Sequence, residues 1–188
     1  VERYIKTYNE FTVGGTKSNR ILIFDIDDTL LYSAAKVYVV KNDKVVHKLS
    51  SSEFNDYVLQ DGEHFDFREF DDLSILLKST TTPYLDTLKR EYAKGTHISI
   101  LTARGNKQMI KQYFLTNGID IKDEILFTVG DMKTNKTVAQ RKADCIKKLI
   151  KYGYKTLVFF DDNEANLLEA EEICTKYNVR IITVHVGN

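Results

Sequence analysis

Ile21-Leu22-Ile23-Phe24-Asp25-Ile26-Asp27-Asp28-Thr29-Leu30 is the stretch whose reading decides the fold. Four apolar residues running into carboxylates describe a buried parallel strand that empties into an acidic loop. Side chains along a strand repeat direction every second residue, so Asp25 and Asp27 start on the same side. Two carboxylates that close repel, and an unpaired buried charge is costly. A shared divalent cation relieves both problems, and Mg²⁺ favours one or two carboxylates together with phosphate oxygens. Taken alone, an Asp-x-Asp is equally well an acidic turn capped by Thr29. Its partners along the chain decide between the two.

Composition narrows the field first. The 188 residues fit one domain with room for a small inserted module. A hydrophobic content of 43% and a charged content of 29% are those of an ordinary globule. Lys plus Arg equals Asp plus Glu at 27 each, so no global field recruits nucleic acid or a membrane surface. Recognition of a single phosphorylated end remains open. No apolar run approaches the ~18 residues of a membrane span, and no signal-peptide pattern is visible. Cys145 and Cys174 lie outside any Cys-x-x-Cys spacing, which indicates a reducing, cytoplasmic setting.

Upstream, Val13-Gly14-Gly15-Thr16-Lys17-Ser18 lacks phosphate-loop spacing and reads as a turn before the first strand. Downstream of Leu30, residues 36–40 and 44–49 are β-rich and flank Asn42-Asp43, a hairpin signal. Residues 53–72 carry eight carboxylates against Arg68 alone, interleaved with Phe54, Tyr57, Phe65, Phe67 and Phe70. This is a wet acidic face over a small aromatic core, or a lid over a pocket, or both. Thr82-Pro83 opens a helix with the stripe Tyr84, Leu85, Leu88 and Tyr92, closed by Gly95. A strand over 96–101 ends in Thr102-Ala103-Arg104, where a hydroxyl, a guanidinium and a helix N-terminus suit phosphate oxygens. Met109, Ile110, Tyr113 and Phe114 mark the next helix, and 124–129 the next strand. Lys133 to Lys155 then holds eight basic residues against Asp144, mostly the wet face of a helix. Thr156 to Asp162 repeats the opening pattern, an apolar strand ending in two carboxylates. A helix and the strand 179–186, with His185 read as structural, complete the alternation.

The order of these pieces resembles the haloacid dehalogenase-like phosphatases. Asp25-x-Asp27-x-Thr29 is similar to their first motif, Thr102 to the second, a lysine near the start of the basic helix to the third, and Asp161-Asp162 to the fourth. Asp28 stands where the family often has Gly or Glu. The resemblance implies an α/β fold: a three-layer α/β/α sandwich, its parallel Rossmann-like sheet in the order 5-4-1-2-3. A core of about 20–32 and 81–188 would carry a cap-like insertion at about 33–80. It implies catalytic roles for Asp25, Asp27, Thr102 and Lys142, with Lys136 in reserve for the lysine. A Mg²⁺ site would draw on the Asp25 carboxylate, the main-chain carbonyl of Asp27, Asp162 and, directly or through water, Asp161. Thr102, Ala103, Arg104 and Lys142 would hold the phosphate.

Within that family, Thr102-x-Arg104 and a lysine twenty residues before Asp162 resemble the phosphatase domain of bacteriophage polynucleotide kinase. That narrower likeness implies 3′-phosphorylated nucleic-acid ends as substrate, with a nucleotidase or small-metabolite phosphatase as the alternative. The acidic insertion departs from it. A phosphorylatable receiver domain, a signalling module with a related acidic pair, Thr and Lys, is the non-enzyme alternative. No membrane contact and no obligate protein partner are expected.

Overall fold

The computed structural model describes residues 19–187; the glycine-rich stretch at 13–18 lies outside them. In chain order the elements are β1 (Arg20–Phe24), β2 (Leu31–Tyr32), β3 (Val37–Lys41), β4 (Lys44–Leu49), α1 (Ser51–Asp56) and β5 (Glu63–Asp66). After a 3₁₀ turn at Arg68–Asp71 come α2 (Leu73–Leu76), β6 (Thr80–Thr81), α3 (Pro83–Ala93), β7 (Ile98–Thr102) and α4 (Lys107–Thr116). β8 (Leu126–Thr128), α5 (Val138–Lys151), β9 (Thr156–Asp161), α6 (Glu164–Lys176) and β10 (Arg180–His185) complete it.

Five strands form a parallel sheet in the order β10-β9-β1-β7-β8, flanked by helices. The opening run lies in the middle of it. Ile21, Ile23 and Phe24 are fully buried, as a strand covered on both faces requires. The ring of Phe24 stacks on that of Phe160 at 4.5 Å, which locks β1 to β9 side by side. Since both strands run the same way, their acidic ends emerge together. The hydrogen bond from Asp25 N to Phe160 O (3.0 Å) carries the pairing one step past β1, to the first carboxylate.

Local chemistry fixes the helix ends. Thr82 caps α3 with Pro83 behind it, and Leu85 and Leu88 are its buried face. Thr137 and Gln140 form a reciprocal capping box at the start of α5. That cap places Lys142 in the second turn, on the same inward stripe as Ala139, Ala143 and Ile146. One strand is shorter than its sequence predicts: Asp123–Ile125 is a 3₁₀ turn, and only Leu126–Thr128 pairs with β7. Ile125 stays buried, so the apolar signal was correct and only the backbone conformation differs.

The segment between β2 and β6 folds on a core of its own. Leu31 pairs with Thr81 and Tyr32 with Thr80, so the chain leaves and re-enters the main body at one short ribbon. Between them β4-β3-β5 make an antiparallel sheet. Asn42 and Asp43 both take positive φ, 50° and 58°, as the tight hairpin demands. Val37, Val39 and Leu49 pack there with Phe54, Tyr57, Phe65 and Phe70. No helix among the described residues is long and apolar enough to cross a membrane. Both cysteines are buried and free, and burial pushes each thiol up to about 11.

Candidate active site

At the carboxyl ends of β1 and β9, oxygens of Asp25, Asp161 and Asp162 lie within 4.8 Å of one another. Lys142 reaches them from α5. Its Nζ donates to Asp25 Oδ1 at 2.8 Å and to Asp161 Oδ2 at 2.7 Å, and its side chain is 2% exposed. Lys136, the reserve for this position, instead pairs with Asp144 on the exposed face of α5. Asp161 is further braced through Oδ1, which accepts from Asn163 N (2.9 Å) and Asn166 Nδ2 (2.8 Å). Both of its oxygens are therefore spent on N–H donors. Asp25 and Asp162 keep the freer oxygens, which makes them the better direct metal ligands, with Asp161 orienting Lys142. His185 donates from Nε2 to the Asp162 carbonyl (2.8 Å), a brace on the loop rather than part of the cluster.

Asp27 takes a different environment. After β1 the chain turns tightly: Leu30 N and Leu31 N both donate to Ile26 O, and Asp28 N donates to Leu31 O. Asp28 sits at φ 55°, a left-handed conformation that Asp tolerates and Gly adopts freely. This turn aims the Asp27 carboxylate away from the triad and onto Arg104. Nε of Arg104 donates to Asp27 Oδ2 (2.9 Å) and Nη2 to Oδ1 (2.7 Å), a bidentate fork. The resemblance assigned Arg104 to phosphate and the main-chain carbonyl of Asp27, not its carboxylate, to the metal. In the structure the guanidinium is 1% exposed and gripped by Asp27, and the Asp27 side chain is not in the metal-competent triad.

Thr102 is fully buried at the end of β7, its Oγ1 accepting from Arg104 N (3.2 Å). The loop that follows is pressed against the one after β8. A Cβ on Gly130 would stand 2.5 Å from Ala103 O, so only glycine lets the two backbones approach this closely. Ala103 itself is exposed on that loop. Ser33, Phe70, Asn163 and Asn166 also reach the site or its immediate supports, none of them assigned from sequence. Asn166 left a signal, being polar beside the inward positions Leu167 and Ala170.

The electrostatics are those of a site short of positive charge. Burial pushes the Asp25 carboxyl well up, Lys142 opposes this, and Asp161, Asp27 and Asp162 add to it. Burial and then Asp161 raise Asp162 to about 6. Asp28 is raised as well, by burial and Asp27, with Ser51 of the inserted segment opposing. Burial pulls Lys142 down, but Asp25 and Asp161 outweigh it and keep it charged. Three carboxylates against one ammonium leave a deficit that a divalent cation fits.

A consequence is measurable. The unfolded Asp162 loses its proton near 3.8 and the folded one near 6, so between them the folded chain binds more protons. Stability in chelator should therefore fall as pH rises through that window. A divalent cation at the triad would need the ionised carboxylates, so Mg²⁺ in large excess should raise Tm by roughly 5 °C at pH 7.5, and hardly at all at pH 4.5. Equal shifts at both pH values would place the ion elsewhere.

Comparison with family models, with curated proteins and with solved structures returned no match.

Proposed function

We propose that the chain is a Mg²⁺-dependent phosphomonoesterase of the haloacid dehalogenase-like kind, acting through an aspartyl-phosphate on Asp25. One observation carries this reading: Asp25, Asp161 and Asp162 cluster at the carboxyl ends of two adjacent parallel strands, with a buried lysine bonded to Asp25 and Asp161. Ligands of open parallel sheets bind at such ends. A parallel five-stranded sheet in the order β10-β9-β1-β7-β8, flanked by helices, supports the reading.

The residues divide the work as follows. Lys142 occupies Asp25 Oδ1, which leaves Oδ2 to attack phosphorus. The bond from phosphorus to the leaving oxygen breaks, and Asp27 gives that oxygen a proton. Asp27 then takes a proton from the water that attacks the phosphoryl group, and the bond to Asp25 breaks to release inorganic phosphate. Lys142 and Thr102 steady the negative charge of the phosphoryl oxygens. Mg²⁺ held by Asp25 and Asp162 would add positive charge beside the same oxygens.

For substrate we favour phosphorylated nucleic-acid ends, 3′ before 5′, with mononucleotides next. The support is the basic run from Lys133 to Lys155, since Arg104 is held by Asp27 and does not count toward it. That run is partly committed elsewhere: Lys142 is internal, Arg141 Nη1 holds the carbonyls of Val129, Gly130 and Met132, and Lys136 is paired. Contact with only a few phosphates follows, so a short or single-stranded end suits better than duplex interior. The test is turnover, with Mg²⁺, of 3′- and 5′-phosphorylated oligonucleotides, mononucleotides, sugar phosphates and an aryl phosphate. Oligonucleotide ends should win, with a KM that rises with salt. A large margin for sugar phosphates without salt dependence would discard the nucleic-acid substrate. No turnover of any ester would discard the phosphatase and leave a phosphate-accepting signalling domain.

A further inference from the structure

The inserted segment does more than lie near the site; it holds one of the site's own side chains. Two of the Arg104 N–H groups grip Asp27, and two more point into the insertion. Nη1 donates to the Phe70 carbonyl at 2.9 Å and Nη2 to Ser33 Oγ at 3.0 Å. The Phe70 ring covers the guanidinium, with Cζ 4.7 Å from its centroid. One side chain thus ties three separate pieces of chain to Asp27.

Phe70 is itself held. It sits in the 3₁₀ turn Arg68–Asp71, with Phe70 N donating to Phe67 O at 2.8 Å. Glu69 in the same turn accepts from Lys36 N (2.8 Å) and from the Tyr38 hydroxyl, which pins the turn to β3. The Phe70 carbonyl therefore stands where the small sheet puts it. On the other side, the backbone of Arg104 is fixed by the close approach of Gly130 to Ala103. An arginine fork anchored at both ends imposes its plane on the carboxylate it grips.

We propose that Phe70 and Ser33 are positioning residues, acting through Arg104 to hold the Asp27 carboxylate in the geometry that proton transfer to the leaving group requires. This rests on the phosphatase reading for its catalytic meaning, whereas the physical link from Phe70 to Asp27 does not. With the ring or the hydroxyl removed, Arg104 is freer to tilt and Asp27 tilts with it. Misplacement of about 1 Å at a reacting group can cost ~10²-fold in rate, so partial loosening should cost roughly 10-fold.

The test uses the full chain with Mg²⁺ and two esters, one with an alkoxide leaving group and one an activated aryl phosphate. Phe70→Ala should lower kcat for the alkyl ester roughly 10-fold and for the aryl ester no more than about 2-fold, since the aryl oxide leaves without a proton. KM should hold for both. Phe70→Tyr, which keeps the ring, should restore the rate. In an Asp27→Asn background, Phe70→Ala should have no further effect on kcat. Ser33→Ala provides the same comparison should Phe70→Ala fail to fold. An independent readout is hydrogen exchange at the Arg104 Nε–H by NMR, protected in the parent and exposed in either variant. Equal losses on the two esters, or an unchanged Nε–H, would overturn the proposal. A parent without any turnover would defeat the phosphatase reading alone, and the Nε–H exchange would still decide the link.

Discussion

Asp25→Asn should abolish phosphomonoester turnover, a loss of roughly 10⁴-fold or more, while the protein stays folded. The two halves of this expectation have separate causes. The amide cannot attack phosphorus, so the covalent route closes. The fold is spared because Asp25 is a burden on it: burial and three neighbouring carboxylates push its carboxyl well up. Removing one negative charge from that cluster leaves Lys142 its 2.7 Å partner in Asp161. Thermal melting without metal should be unchanged or higher, and the Mg²⁺-induced rise should shrink because one ligand is gone. Near-normal turnover in this variant would remove Asp25 from the chemistry.

Lys142→Ala is expected to show the opposite pattern. The ammonium is the only positive group in contact with Asp25 and Asp161 among the described residues, and all three side chains are buried. Its loss leaves two buried carboxylates facing each other, and breaking such a pair by removing one partner costs about 3–5 kcal/mol. In a chain of this length that lowers Tm by roughly 10 °C. The sign with pH follows from the same groups. Without the ammonium nothing opposes the burial that pushes the Asp25 carboxyl up, so the penalty should be greatest near pH 7–8 and fade as acid protonates that group. Lys136→Ala, which removes only an exposed pair with Asp144, should scarcely move Tm or turnover. If the two lysine variants melt alike, Lys142 does not hold the cluster together.

Much of this was legible in the sequence because it is encoded locally. The apolar run before Asp25 and its echo before Asp161 mark two buried strands, and strand polarity alone sends their acids to one edge. The cap at Thr82 shows where a helix begins. The sign of the inserted segment and its hairpin are equally local. What the sequence withheld are pairings across long separations. Nothing near Arg104 tells that its fork closes on a carboxylate 77 positions away, or that Phe70 and Ser33 each take a further N–H. Its place at a strand end suggested a phosphate ligand, and the structure adds a fork onto Asp27. Lys142 was intermediate. Its place among Ala139, Ala143 and Ile146 on the apolar stripe of α5 is what separates it from the wet lysines. The shortened β8 shows the limit of apolar patterning, since Ile125 is buried in a 3₁₀ turn as readily as in a strand.

The central claim is that Asp25 becomes covalently phosphorylated during turnover. The direct measurement is acid quenching of the protein within its first turnovers on an aryl phosphate with Mg²⁺, followed by peptide mass analysis. The account predicts the mass of one phosphoryl group on the peptide carrying Asp25, absent in Asp25→Asn and absent when Mg²⁺ is chelated. Turnover at full rate with no phosphoryl group on that peptide, or with the group on another residue, would contradict it.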